Sequence, residues 1–246
     1  MAIIVNKKKG ETPLECLERV RLAEKIDPKT PMTYAGRLDP MAEGVLIILV
    51  GEECKNKEKY LGLDKEYEVE IVFGIATDTF DALGIIASVK NEDLVKNNEK
   101  FVTFSSYVGK HIQAYPAYSS KTVNGKQLHE YARAGELPNE IPTKEVEIYS
   151  IQKLEEKEIT GREITEQVIK DIKLVKGDFR QEEIIKGWEN FAEKYSNKKF
   201  KIVKVKVACS SGTYMRSLAN RVGKDAGTGA IALLIKRISV GEYKII

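Results

Sequence analysis

The chain has 246 residues, of which 42% are hydrophobic and 31% charged, and 40 Lys and Arg against 37 Asp and Glu leave a net charge of +3. This is an ordinary globular composition, long enough for one large domain with an inserted lobe, and it excludes disordered, collagen-like and membrane-spanning chains. So small a net charge gives no bulk-charge argument for nucleic acid, and local clustering of cations would have to supply one.

In chain order, residues 2–5 read as a short strand. Thr12-Pro13-Leu14-Glu15 has the form of a capping box with proline in the first turn, and Leu14, Leu17 and Val20 continue a helix to about Ile26. Residues 27–33 hold two prolines and read as a loop, while residues 45–50 are a continuous apolar run between Gly44 and Gly51, a buried strand. Tyr67, Val69, Ile71 and Phe73 alternate with charged residues in a half-buried strand. Residues 113–126 are irregular and polar, followed by a helix over residues 127–134 that Gly135 ends.

Residues 155–197 are charge-rich. Ile164, Val168, Ile172 and Val175 repeat at helical spacing up to Gly177, and Asp178 and Gln181 are placed to cap a second helix carrying Ile184, Ile185, Trp188, Phe191 and Tyr195. The expectation is a helical hairpin inserted beside the sheet, with a packing role and no catalytic group. Residues 200–209 return to strand, Ser210-Ser211-Gly212 is a turn, and two short helices and a last strand follow. Strands and helices mix without a β-α-β rhythm. The class expected is α+β: one domain over residues 1–246, a mixed, largely antiparallel sheet flanked by helices, with the insertion at residues 155–197.

Cys16, Cys54 and Cys209 form no C-x-x-C pair and lie far in sequence from His111 and His129, so neither a zinc site nor a disulfide framework is expected. The N-terminus has four apolar residues before Asn6 and a lysine triplet, which is no signal peptide; a reducing, cytoplasmic setting is expected.

Four blocks carry chemistry. In residues 34–46 an isolated Asp39-Pro40 would be a turn dipeptide. A glycine-flanked loop between a helix and a buried strand, dried by Leu38, Pro40 and Met41, is however a scaffold on which a reactive carboxylate can be held. In residues 209–218, Arg216 falls on the first turn of a helix, where it could lie on the surface or reach an anion; paired with Asp39 it would keep that carboxylate ionised and oriented. Tyr67 at the start of its strand is a packing residue or, in a nucleotide pocket, a platform for a base. Residues 113–133 interleave Tyr115 and Tyr118 with Lys121 and Lys126, a polar loop of the kind on which RNA loops dock.

Together these blocks resemble the TruB family of tRNA pseudouridine-55 synthases. The likeness runs through Val5-Asn6-Lys7 with Gly10, Gly36-Arg37-Leu38-Asp39-Pro40, Lys65 and Tyr67, Pro116 to Lys121, Tyr131-Ala132-Arg133, Cys209 to Arg216, and Lys236-Arg237. It covers residues 3–150 and 200–243 and leaves out the insert. The resemblance implies that Asp39 is the catalytic aspartate, that Tyr67 packs on the target base, that Arg216 pairs with Asp39, that Tyr214 and Ile235 line the pocket, and that Lys7 is the lysine of the N-terminal motif. It implies RNA contacts from Tyr118, Lys121 and Arg133. Thr33 and Tyr34 stand where the family usually has Gly-His, and Tyr34 is the aromatic candidate for the histidine's place beside the flipped base. The last catalytic-domain motif of the resemblance falls at the end of the sequence, so the expectation is a protein without the C-terminal RNA-binding domain of many relatives.

The implied reaction breaks N1–C1′, rotates the uracil and rejoins it through C5. It needs no metal and no cofactor, and the sequence leaves open whether Asp39 attacks C1′, attacks C6 or works through a glycal. The implied partner is the T-arm of tRNA, met by a monomer. Two rivals remain: a synthase acting on another RNA, and an RNA-binding or RNA-folding module without catalysis.

Overall fold

The computed structural model describes residues 1–90 and 102–245. In chain order its strands are β1 (Ala2–Lys7), β2 (Met32–Ala35), β3 (Ala42–Val50), β4 (Lys65–Phe73), β5 (Ile75–Thr77), β6 (Ile86–Val89), β7 (Gly109–Ala114), β8 (Thr122–Val123), β9 (Lys126–Gln127), β10 (Thr143–Thr160), β11 (Lys199–Cys209), β12 (Ala230–Val240) and β13 (Tyr243–Lys244). Its α-helices are α1 (Pro13–Ala23), α2 (Lys57–Leu61), α3 (Leu128–Ala134), α4 (Gly161–Ile172), α5 (Gln181–Tyr195) and α6 (Met215–Asp225).

One large sheet runs β1-β3-β12-β4-β11-β10-β7, with β2 added to β3 and β13 to β12. The β12–β3 pairing is parallel, from Ile235↔Ala42 to Arg237↔Gly44, and the other neighbours are antiparallel. The sheet is the middle layer. Tyr67, Val69, Ile71 and Phe73 of β4 share one core with Met215, Leu218, Ala219 and Val222 of α6. Val72 faces the other way, with Ile202, Ile231 and Leu233, and is covered by Ile164, Val168 and Ile172 of α4 and Ile184, Trp188 and Phe191 of α5. Trp188 is fully buried, its ring 5.4 Å from that of Phe191, which is itself 5.4 Å from Phe200 of β11. Burying each such large side chain is worth about 1.5–3 kcal/mol, so the hairpin is anchored on the sheet.

The helical hairpin begins later than its composition suggests. Residues 155–160 continue β10, paired from Glu155↔Lys204 to Thr160↔Lys199. Residues 155–158 of β10 are exposed, so they carry charge without an apolar alternation, and only Ile159 packs against the core beneath the hairpin. Cross-strand pairs take over, Lys201 with Glu156 and Lys199 with Glu158, both at 2.9 Å. The first helix starts at Gly161 under a capping box: Thr160 Oγ1 accepts from Glu163 N–H at 3.3 Å and Glu163 accepts from Thr160 N–H at 2.8 Å. It ends at Ile172, before Val175 and Gly177. Asp178 and Gln181 build the following turn by accepting from the N–H groups of Arg180 and Phe179; the N-cap itself is Arg180, without a side-chain cap.

Other differences are local. β2 occupies the end of the expected loop at residues 27–33, because its pairing with β3 outweighs Pro31. α1 ends at Ala23, and its Leu14 is 59% exposed. Asn124-Gly125, with φ of 50° and 83°, makes a tight β8–β9 hairpin in the stretch read as irregular. One helix, α6, replaces the two expected before the last long strand. Among the described residues, no helix is long and apolar enough to cross a membrane.

Candidate active site

Asp39 lies in the link between β2 and β3, not between a helix and a strand. Gly36 opens this link and Gly44 stands at the third position of β3, with φ of 83° and 110°, values open to glycine and rare for other residues. Gly44 is also needed for space, since a Cβ there would run into the backbone of Arg237 on the parallel neighbour β12. Leu38 and Met41 are each 5% exposed and anchor the loop, Leu38 in the core shared by β4 and α6 and Met41 in the core under α4 and α5. Arg237, 2% exposed, threads under the loop: its Nε donates to Val45 O at 2.7 Å, Nη1 to Arg37 O at 3.1 Å and Nη2 to Gly36 O at 3.3 Å. A second support comes from the N-terminal motif, where Gly10 N–H donates to Pro40 O at 2.8 Å.

Arg216 and Asp39, 177 positions apart, meet with Nε 2.7 Å from Oδ2. Arg216 is the second residue of α6, a place where the helix dipole disfavours a cation. Its side chain is also only 3% exposed, so the charge requires partners. Asp39 supplies one, Thr79 O accepts from Nη1 at 3.0 Å, Tyr118 O accepts from Nη2 at 3.2 Å, and Asp81 Oδ2 lies 3.7 Å from Nε. Asp81 is held by Thr79 Oγ1–H at 2.6 Å and Leu83 N–H at 3.0 Å. Burial pushes its carboxyl up to about 6, against the pull of Arg216 and the Thr79 hydrogen bond, and the nearby Asp39 charge adds to the rise.

The pair opens onto a cavity of about 800 Å³. Asp39, at 37% side-chain exposure, is the accessible member. Of the residues singled out from the sequence, Tyr34, Asp39, Tyr67, Tyr118, Arg133, Tyr214, Arg216 and Ile235 all line this cavity. Tyr67 is buried, which raises its phenol pKa, and its ring sits in the wall with Ile235. Tyr214 is steadied by its backbone N–H on Gln113 Oε1 at 3.0 Å and by Tyr115, ring to ring at 6.0 Å.

Two expected site residues stand elsewhere. Lys7 is fully buried outside the cavity lining, and its ammonium donates to Glu11 O at 2.6 Å and Lys8 O at 3.1 Å, closing the turn that supports Pro40. Burial lowers it to about 8. In this structure it is a brace and does not reach the substrate space, because its stem follows the sheet into the core. Lys121 is exposed outside the cavity, 5.2 Å from the Tyr115 ring centroid.

Sequence reading missed Asp81, and it named Arg237 and Lys65 without their bracing roles; burial lowers Lys65 to about 8, and it donates to the carbonyls of Leu61 and Leu63. It also missed the site role of Asp178, Phe179 and Arg180 between α4 and α5, which form part of the cavity wall. A signal for Asp81 was present: Asp78-Thr79-Phe80-Asp81 between Gly74 and Gly84 is a polar turn following a buried strand. Among the described residues, no three His, Cys, Asp or Glu side chains group closely enough to hold a metal ion.

The mixed-sheet fold that carries this site is shared with chains of known structure. One is in the crystal structure of a Cbf5-Nop10-Gar1 complex, at 17% identity and TM-score 0.58, covering all of this chain and 50% of that one. Another is in an H/ACA RNP bound to a substrate RNA containing 2′-deoxyuridine, at 17% identity and TM-score 0.55, over 49% of that chain. This chain thus spans about half the length of these solved chains. The sequence places it more closely: it belongs to the TruB family of pseudouridylate synthases, whose N-terminal domain profile, "TruB family pseudouridylate synthase (N terminal domain)", matches residues 26–177. A relative named tRNA pseudouridine synthase B from Lactobacillus gasseri is 32% identical over 244 residues, covering 99% of this chain and 69% of its own. The protein of the same name from Geobacillus thermodenitrificans is 32% identical over 244 residues, covering 99% and 68%.

Proposed function

We propose that this protein isomerises uridine to pseudouridine in tRNA, at position 55 of the T-loop, with Asp39 as the catalytic carboxylate. The observation that carries this reading is the Asp39–Arg216 pair at 2.7 Å, with Asp39 open to an 800 Å³ cavity. The reaction breaks N1–C1′ and C5–H and forms C5–C1′ and N1–H within one nucleotide, the C5 proton leaving and N1 gaining one, so atoms and electrons balance without a cofactor. The work left to the protein is to hold an ionised carboxylate against the nucleoside and to keep the detached base in place. Arg216 holds the carboxylate. Tyr67 and Ile235 form a flat apolar wall for the uracil, and Tyr214 and Tyr34 close the sides. The target must be unstacked first, at a cost of a few kcal/mol, and a T-loop presents bases already partly splayed. Tyr118 and Arg133 on the cavity rim, with Lys121 beyond it, are the RNA contacts of this reading. The protein acts as a monomer in the cytoplasm.

The test is incubation with an unmodified tRNA transcript followed by mapping of pseudouridine. Conversion at position 55 alone is expected. Conversion only in another RNA would redirect the substrate, and binding without conversion would leave an RNA-binding module.

A further inference from the structure

Helical periodicity gives the α4–α5 hairpin a packing role, yet its turn reaches the site. Arg180 takes φ 62° and ψ 29°, a left-handed conformation uncommon outside glycine. Its Nη1 donates to Asp78 Oδ2 at 2.7 Å, and its guanidinium carbon lies 4.5 Å from the centroid of the Tyr118 ring. The two paired side chains are 20% and 30% exposed, partly shielded from water.

Asp78 and Tyr118 belong to separate segments. Asp78 also fastens its own turn, accepting Ile85 N–H at 2.8 Å through Oδ1. The carbonyl of the next residue, Thr79, accepts from Nη1 of Arg216, and the carbonyl of Tyr118 accepts from Nη2. Both carbonyls that hold the terminal nitrogens of Arg216 therefore sit on segments gripped by Arg180, while the remaining nitrogen, Nε, is on Asp39.

We propose that Arg180 is a positioning residue for the reaction: it ties the Asp78 turn to the Tyr118 loop and so holds Arg216, and through it Asp39, in register. The inserted hairpin is then a working part of the site. This rests on the synthase reading above. The planar guanidinium is suited to the task, since it pairs with a carboxylate and lies over a ring at once, which an ammonium does less well. The hairpin has independent anchors. Lys9 and Asp171 pair at 2.7 Å with side chains only 15% and 11% exposed, and Trp188 and Phe191 are in the core. Loss of Arg180 therefore leaves the hairpin docked.

Arg180→Ala, Arg180→Lys and Asp171→Asn are compared with the wild type. The readouts are single-turnover rate at saturating enzyme on an unmodified tRNA transcript, affinity for that transcript, melting temperature, and exchange of the Arg216 Nε–H by NMR. In Arg180→Ala the saturating rate should fall by about ten- to a hundredfold, with affinity and melting temperature near wild type and faster exchange at Arg216 Nε. Arg180→Lys should recover part of the rate. Asp171→Asn should lower the melting temperature and leave the rate alone. The proposal is overturned if Arg180→Ala weakens binding and spares the saturating rate, which would make Arg180 a phosphate contact. It is overturned equally if rate and exchange are unchanged, or if Asp171→Asn loses rate to the same extent. A wild type that makes no pseudouridine would defeat the functional reading instead, and the exchange measurement would still decide the brace.

Discussion

Replacing Asp81 by Asn removes a buried carboxyl that burial pushes from 3.8 up to about 6 in the folded chain, despite the opposing pull of Arg216 and Thr79. The folded chain thus holds this proton more tightly than the unfolded one. As pH rises through the window from about 4 to about 6, the unfolded chain releases it first, so the Asp81 contribution to stability is greatest below 3.8 and is lost by about 6. A displacement of about two pKa units, at about 1.36 kcal/mol each, makes this roughly 3 kcal/mol. Asn keeps an oxygen for Thr79 Oγ1–H and Leu83 N–H, so the turn survives while the titration disappears. Urea unfolding of both proteins at pH 4, 5, 6 and 7 gives the assay. Taking the difference at each pH cancels groups common to both, such as Glu11 and Glu156, whose folded-state pKa values lie below their ordinary range. The stability of the wild type relative to the variant should fall by about 2 kcal/mol from pH 4 to pH 7, the rest of the contribution lying below pH 4. A flat or rising difference would refute the burial argument. At pH 7 the variant leaves Arg216 without its second carboxylate, and the saturating rate should drop by about tenfold or more.

Asp39→Asn should abolish isomerisation and leave tRNA binding nearly intact; retention of more than a small fraction of the rate would remove Asp39 from its role. Activity should survive exhaustive chelation with EDTA, and loss restored by zinc would contradict the donor count. Gly44→Ala, forced against the Arg237 backbone at φ 110°, should destabilise the fold by about 2–5 kcal/mol. A melting temperature equal to wild type would show that the β3–β12 approach is slacker than described.

Much of this protein was determined by its sequence alone, where the governing physics is local. The Thr12–Glu15 capping box, the two-residue alternation from Tyr67 to Phe73 and the 3.6-residue stripe from Ile164 to Ile172 depend on neighbours in the chain, and each is found in the structure. The motif around Asp39 and the block ending at Arg216 marked both members of the pair. Tertiary structure alone decided the rest. Residues 155–158 of β10 have no apolar alternation because their side chains are exposed, so only the partner β11 makes this stretch a strand. Lys7 stands in a lysine triplet and is expected at the site, yet the register of β1 against β3 carries it into the core. Asp81 and Arg180 carry no periodic signal. Their roles come from distances to Arg216, Asp78 and Tyr118, groups remote along the chain, and a hydrogen bond or ion pair between remote residues exists only once the fold has brought its two ends together.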